Sequence, residues 1–311
     1  MPIPTLSDGV EVNIAVVGAG LIGQSFGALF LANGFKVRFT DTREDLEDVV
    51  KQHVPEYLAQ AANVSLEEAE RVVTERVTCT HDVAEAVTGA YAVQEAGPER
   101  VEIKHAIWDQ VIAAAPQDAL LLSSSSSIPA SAQHERVIIG HPFNPPHIMP
   151  LIEVVPSPDT PEEEISRVLQ FYHAIGKRPV RLKKEKPGFV ANRLQAVVLA
   201  EAMSLVAEGV IDAAHLDNAM TASLGVRWAA VGPLLGMHLG GGGAGLGGLL
   251  KHIGAPLLKL VNREDVLDDE TVAAVVKSVK DAYPGPAEDF ARDRDAIQEK
   301  VIKAQLKVWN S

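Results

Sequence analysis

Three observations predict an α/β fold with an N-terminal doubly wound sheet and a C-terminal all-α domain. The chain opens with a β-branched apolar run, a glycine-rich turn, a helical pattern and a second strand ending in an acid. Strand-like and helix-like stretches then alternate up to Lys186-Pro187-Gly188, and from Phe189 onward the apolar residues recur only at helical spacing. With 311 residues, 47% of them apolar, there is enough material for two cores. The expected division is residues 1–186 for the sheet domain and 187–311 for the helical one.

The elements follow in order. Val12–Val17 reads as a buried strand and is followed at once by Gly18-Ala19-Gly20-Leu21-Ile22-Gly23. Phe26, Leu29 and Phe30 mark a helix, which Asn33-Gly34 stops. Phe35–Thr40 alternates as a strand and ends in Asp41, completing one βαβ unit of Rossmann type. Ser65–Glu68 has the spacing of a capping box and opens a charged helix through Arg76. Tyr91–Glu95, Ala119–Leu122 and Val137–Gly140 read as strands, and Glu99–Ala115 as a helix. Thr160–Glu163 reads as a second capping box, with Pro161 at the first position of a helix running to about Ile175. In the C-terminal part, Leu194, Val197, Val198, Ala202, Leu205 and Val206 share helical spacing, and Glu288–Trp309 is a long charged helix. Gly240–Gly248 is expected to be a loop, because glycine disfavours helix.

Composition excludes several function classes. The net charge of −13 has no lysine or arginine block to offset it, which argues against nucleic-acid or anionic-membrane partners. No apolar run reaches the ~18 residues of a membrane span, and no secretory signal is visible. The single cysteine, Cys79, rules out a disulfide framework and points to a reducing, cytoplasmic setting. It lies in the β-like run Val77–Thr80 and reads as a small buried residue rather than a nucleophile. No metal ion enters the reading.

The glycine turn assigns a cofactor. Gly18 permits a tight turn, Gly20 lets backbone approach a pyrophosphate, and Gly23 lets helix and strand pack closely. The N–H groups near Leu21 and Ile22 open a helix and can face phosphate. Asp41 is placed to bind the adenosine ribose and would repel a 2′-phosphate, so NAD is expected over NADP; Arg43 pulls the other way.

The catalytic candidates lie further on. His141 sits in the stiff loop His141-Pro142-Phe143-Asn144-Pro145-Pro146, and Glu153 lies in an apolar run, Leu151–Val155, where a carboxylate needs a partner. Ser123–Ser127 ends a strand, and Asn192 opens the helical part within Gly188-Phe189-Val190-Ala191-Asn192-Arg193. Together these pieces resemble the 3-hydroxyacyl-CoA dehydrogenase superfamily from about Asn13 to Leu235. The resemblance implies that His141 is the general base, that Glu153 orients it, and that Ser126 and Asn192 bind the substrate oxygen. Five consecutive serines leave open which of them fills the serine role. The resemblance also implies positions near the cofactor for Glu99, Lys104 and Asn144, and a homodimer.

Within the superfamily the sequence is most similar to the lambda-crystallin and L-gulonate 3-dehydrogenase branch. That likeness is carried by Ser123–Ser127, His141–Pro146, Gly188–Gln195, Leu224–Trp228 and Val231–Leu234; it departs after His238. Arg227 stands in an otherwise apolar stretch, Leu224–Leu235, and suits a substrate carboxylate. The expected substrate is therefore a small anionic hydroxy acid, foremost L-gulonate. A short-chain L-3-hydroxyacyl-CoA dehydrogenase, an L-carnitine dehydrogenase and a crystallin-like protein that binds NAD without turnover remain open. A CoA ester would call for a basic patch, for which Lys183-Lys184 and Lys186 are the candidates.

Overall fold

The computed structural model describes residues 11–261 and 268–309. Among these, the N-terminal part forms one eight-stranded sheet in the order β3-β2-β1-β4-β5-β6-β7-β8. The strands are β1 (Asn13–Val17), β2 (Lys36–Thr40), β3 (Val77–Thr80), β4 (Ala92–Glu95), β5 (Leu120–Ser123), β6 (Val137–Pro142), β7 (Leu151–Val155) and β8 (Arg178–Arg181). Strands β1 to β6 pair in parallel, and β7 reverses against β6 before β8 joins it in parallel. The order reverses direction at β1, which leaves a crevice beside the carboxyl ends of β1 and β4, where doubly wound sheets bind ligands.

The period of two along each strand feeds a core on each face. Ile14, Val16, Val37, Leu120 and Leu122 pack with Phe26, Phe30 and Phe171 on one side. Ala15, Val17, Val93 and Leu121 pack with Trp108 and Val111 on the other. The first core is covered by α1 (Leu21–Ala32), α2 (Leu46–Ala62), α3 (Leu66–Arg76) and α6 (Glu162–Ala174), and the second by α4 (Val83–Val87) and α5 (Val101–Ala114), which carries Trp108 and Val111. A sheet covered on both faces explains why its strands read as apolar runs rather than alternating ones.

Several elements differ from the sequence expectation. Helix α2 was not among the expected elements; Pro55 lies inside it at a buried position, where a proline normally ends a helix. Leu151–Val155 is a full strand, and β8 was not anticipated either. The serine half of the capping box at Ser65 forms, with Oγ accepting the Glu68 amide at 3.2 Å, while Glu68 Oε1 accepts from Arg71 at 3.2 Å. The box at Thr160 does not form: Pro161 is the cap residue without a side-chain bond, and Thr160 Oγ1 pairs with Ser157 Oγ at 3.0 Å.

The described residues divide into two compact units after Val197, inside helix α7 (Ala191–Ala207). The second unit is helical among the described residues, with α8 (Ala213–Thr221), α9 (Leu224–Ala230), α10 (Pro233–Gly240) and the long C-terminal helix Ala287–Trp309. The glycine-rich stretch corrects the expected loop: Gly242–Ala244 is a 3-10 turn and Gly245–Leu249 a short α-helix. The glycines serve close packing there. Gly245 has φ +58°, and a β-carbon on it would lie 2.7 Å from the His238 ring.

Candidate active site

Two cavities adjoin the glycine turn of the first unit. The larger, about 750 Å³, is lined by Gly18, Gly20, Asp41, His81 and Val83 on one side and Gly97, Ile103 and Ile107 on the other. Gly18 has φ +100°, and a β-carbon there would sit 2.7 Å from the Ala96 backbone. A β-carbon on Gly23 would lie 1.8 Å from the Gly18 carbonyl oxygen, so only glycine lets helix α1 seat against the turn. At Gly20, by contrast, a β-carbon would project into open space at the cavity wall, and no side chain caps the first-turn N–H groups of α1. An uncapped helix start facing a cleft of this size fits the pyrophosphate and adenosine of a dinucleotide.

Asp41 holds the turn and borders the cleft together. Its Oδ2 accepts the Ala19 amide at 2.7 Å and its Oδ1 the Arg43 amide at 3.1 Å. The Arg43 guanidinium is turned to Asp45, with contacts of 2.7 and 3.0 Å. The cation that could have welcomed a 2′-phosphate is therefore already engaged, while the Asp41 carboxylate borders the cleft, where it suits a ribose hydroxyl. The residues present fit NAD.

The smaller cavity, about 290 Å³, is lined by Ile22, Ser124, Ser126, His141, Asn144, Asn192 and Gln195, together with Pro142 and Phe143. Four of the residues singled out in the sequence thus meet in one place, and Ile22 joins them from helix α1. Leu21 is 53% exposed and lines neither cavity.

His141 and Glu153 are a directly opposed pair in the antiparallel ladder between β6 and β7. His141 Nδ1 and Glu153 Oε2 are 2.8 Å apart, and both side chains are buried. Glu153 Oε1 accepts the amides of Val190 and Ala191 at 2.9 and 3.0 Å, the start of helix α7. Burial pushes the Glu153 carboxyl up, but the bonds from His141, Ala191 and Val190 outweigh it and hold it below the ordinary carboxylate range. An ionised Glu153 makes Nδ1 the protonated ring nitrogen and leaves Nε2 with a free lone pair. Phe189, at φ +49°, buries its ring 5.2 Å from the imidazole, and Phe143 meets it edge-on at 6.2 Å.

The serine run is organised by two carboxylates. Glu99 Oε1 accepts the hydroxyls of Ser125 and Ser127 at 2.7 and 2.9 Å and the amides of Ser126 and Ser127 at 3.0 and 2.8 Å. Burial raises the Glu99 carboxyl, yet these donors and Lys104 leave it net lowered. Ser123 donates to Glu95 at 2.7 Å, and Ser124 accepts from Gln94 at 2.8 Å. Of the five hydroxyls, that of Ser126 alone has no protein partner among the described residues, and Ser126 lines the cavity with His141.

Glu99 and Lys104 line neither of these two cavities. Lys104 is drawn inward by the buried Glu95, whose two oxygens it meets at 2.8 Å, with Glu99 at 3.7 Å. Both residues build the serine loop instead. Arg227, on α9 in the second unit, is exposed and has no ion-pair partner among the described residues, so its apolar sequence context does not bury it. Sequence reasoning missed Ser124 and Gln195. Both carried a signal: Ser124 lies in the same serine run as Ser126, and Gln195 is one helical turn from Asn192.

Residues 13–186 match the family model for the 3-hydroxyacyl-CoA dehydrogenase NAD binding domain, and residues 188–282 match that for its C-terminal domain. The chain belongs to the 3-hydroxyacyl-CoA dehydrogenase family. A 3-hydroxyacyl-CoA dehydrogenase of Gibberella moniliformis is 34% identical, with 95% of each chain covered. An L-carnitine dehydrogenase of Streptomyces coelicolor is 35% identical over 94% of each chain. A lambda-crystallin homolog of Mus musculus is 39% identical over 73% of this chain and 74% of its own. The chain is accordingly an NAD-dependent oxidoreductase of the 3-hydroxyacyl-CoA dehydrogenase family, and its lambda-crystallin likeness falls within that family.

Proposed function

We propose that this enzyme oxidises the 3-hydroxyl of a small polar hydroxy acid, with L-gulonate as substrate and His141 as general base. The observation that carries the reading is the His141–Glu153 pair at the wall of a cavity otherwise lined by uncharged side chains; Ser124, Ser126, Asn144, Asn192 and Gln195 are polar, and Ile22, Pro142 and Phe143 apolar. Nε2 of His141 takes the hydroxyl proton, and Glu153, ionised and held by the α7 amides, stabilises the imidazolium that forms. Ser126 and Asn192 donate to the substrate oxygen as it becomes a carbonyl. Asn144 completes the wall. Bound NAD supplies the hydride acceptor.

Support for a free acid over a long acyl thioester comes from the cavity's modest size and from amide and hydroxyl groups suited to further substrate hydroxyls. Arg227, exposed and unengaged, is proposed to hold the carboxylate. The lone, half-buried Cys79 supports a reducing, cytoplasmic location, and no helix among the described residues is long and apolar enough to cross a membrane. We further propose that two copies of the chain associate.

The test is NADH formation with L-gulonate, L-carnitine and L-3-hydroxybutyryl-CoA offered in parallel. Turnover of L-gulonate is expected, abolished in His141→Ala, with KM for the acid raised more than tenfold in Arg227→Ala, the loss of a charge-assisted contact. A preference for the CoA ester would overturn the substrate assignment and retain the proton-transfer pair.

A further inference from the structure

We infer that Ser124 is a second hydroxyl donor to the ligand in the His141 cavity, its hydrogen directed there by the buried pair Tyr172 and Gln94. This rests on the dehydrogenase reading above and adds a substrate contact to it.

The argument follows the hydrogens. Tyr172, on α6, and Gln94, on β4, have no solvent exposure. The Tyr172 hydroxyl lies 2.9 Å from Gln94 Oε1, and Gln94 Nε2 lies 2.8 Å from Ser124 Oγ. Taken alone, an amide could face either way. The tyrosine removes that freedom. Its buried hydroxyl has Gln94 as its only partner among the described residues, so its hydrogen must go to the amide oxygen. The amide NH₂ then faces Ser124, and Ser124 Oγ is the acceptor. A hydroxyl that accepts from Gln94 must send its own hydrogen elsewhere. Ser124 borders the cavity shared with Ser126 and His141 and has no other side-chain partner among the described residues, so its hydrogen points at what occupies that cavity.

The chain is built into the sheet next to the catalytic histidine. Gly140 precedes His141 in β6, and a β-carbon on it would stand 1.9 Å from the Tyr172 hydroxyl. Only a glycine admits the tyrosine to this position. Burying three linked polar groups is costly unless each is satisfied, and the last bond of the series is left for the ligand. The acceptor is an oxygen of the bound hydroxy or keto acid, held by Ser124 and Ser126 from one side.

The experiment is a double-mutant cycle on Ser124→Ala and Tyr172→Phe. It is read as the Kd of L-3-hydroxybutyrate and of L-gulonate for the enzyme–NADH complex, which cannot oxidise either acid, followed by NADH fluorescence. Each single variant should weaken binding about tenfold, one hydrogen bond's worth. The double variant should be no weaker than Ser124→Ala, because without the serine there is nothing to orient. NADH affinity should not change. Should Tyr172→Phe fail to fold, Gln94→Met takes its place in the cycle. Wild-type affinity in Ser124→Ala, or losses that multiply in the double variant, would overturn the inference. A wild type that binds these acids but reduces no NAD with any 3-hydroxy acid overturns the dehydrogenase reading and leaves the cycle readable. Binding of neither acid overturns both.

Discussion

A carboxylate with one oxygen on an imidazole and the other on two helix-start amides has little freedom to turn. Glu153 is held in this way, and that fixes the tautomer of His141. Glu153→Gln preserves the shape but removes the charge, so kcat should fall by about 10² while NAD binding stays intact; steady-state kinetics at saturating NAD would check it. At this scale much was legible. An acid inside Leu151–Val155 needs a partner, and a histidine in a proline-bracketed loop is a natural one. The fate of Glu99 and Lys104 was not legible, because it depends on Glu95. That acid ends a short strand, and its burial becomes evident only once β4 is seen between β1 and β5. The choice among five serines likewise needed the positions of Glu99 and Gln94, which no local pattern contains.

The connection from β6 to β7 carries Asn144, and it is clamped from two sides. His147 Nδ1 meets Ser25 Oγ of α1 at 2.7 Å, its Nε2 meets Gln60 of α2 at 3.0 Å, and its ring stacks on Tyr57. From the other side, the buried Lys177 ammonium group donates to the carbonyls of Pro146 and Met149. Burial pushes the Lys177 amine down to about 8. Its folded value lies below the ordinary 10.5, so the folded state releases this proton more readily than the unfolded one. The stabilisation from this difference is full above pH 10.5 and is lost as pH falls through about 8. Relative to Lys177→Met, the wild type should therefore gain stability between these values and show a constant offset below them; urea midpoints across that range would reveal it. The sequence did not disclose this clamp. Helix α2 is hidden behind Pro55, and β8, which follows Lys177, is mostly exposed and lacks an apolar run.

At the scale of the molecule, the order of elements was readable because the hydrophobic period changes near Lys186, where strands give way to helices. The two compact units divide a little later, inside α7, whose start caps the Glu153 carboxylate. Helix α7 also exposes Leu199, Met203 and Val206 along one face. We attribute that face to a second copy of the chain. Light scattering should give twice the 33.2 kDa chain mass, and Met203→Asp should shift the protein toward the monomer. A wild type of single-chain mass would remove the assignment. The glycine-rich stretch after His238 was misjudged for a physical reason. Low helix propensity is a statement about an isolated chain, whereas Gly245 is held by the nearby His238 ring.

The proton-transfer pair is joined by a strand ladder, and this has a consequence for diversification. Because His141 and Glu153 oppose each other in β6 and β7, the pairing of the two strands itself holds them together. A slip of the ladder by one residue would send Glu153 to the opposite face and end activity at once. Changes of composition away from the His147 and Lys177 contacts, at constant length, leave the pair in register. Phe143 and Asn144, which line the cavity, thus vary on a fixed reaction frame, and libraries built there would alter what is accepted before they alter whether anything is oxidised.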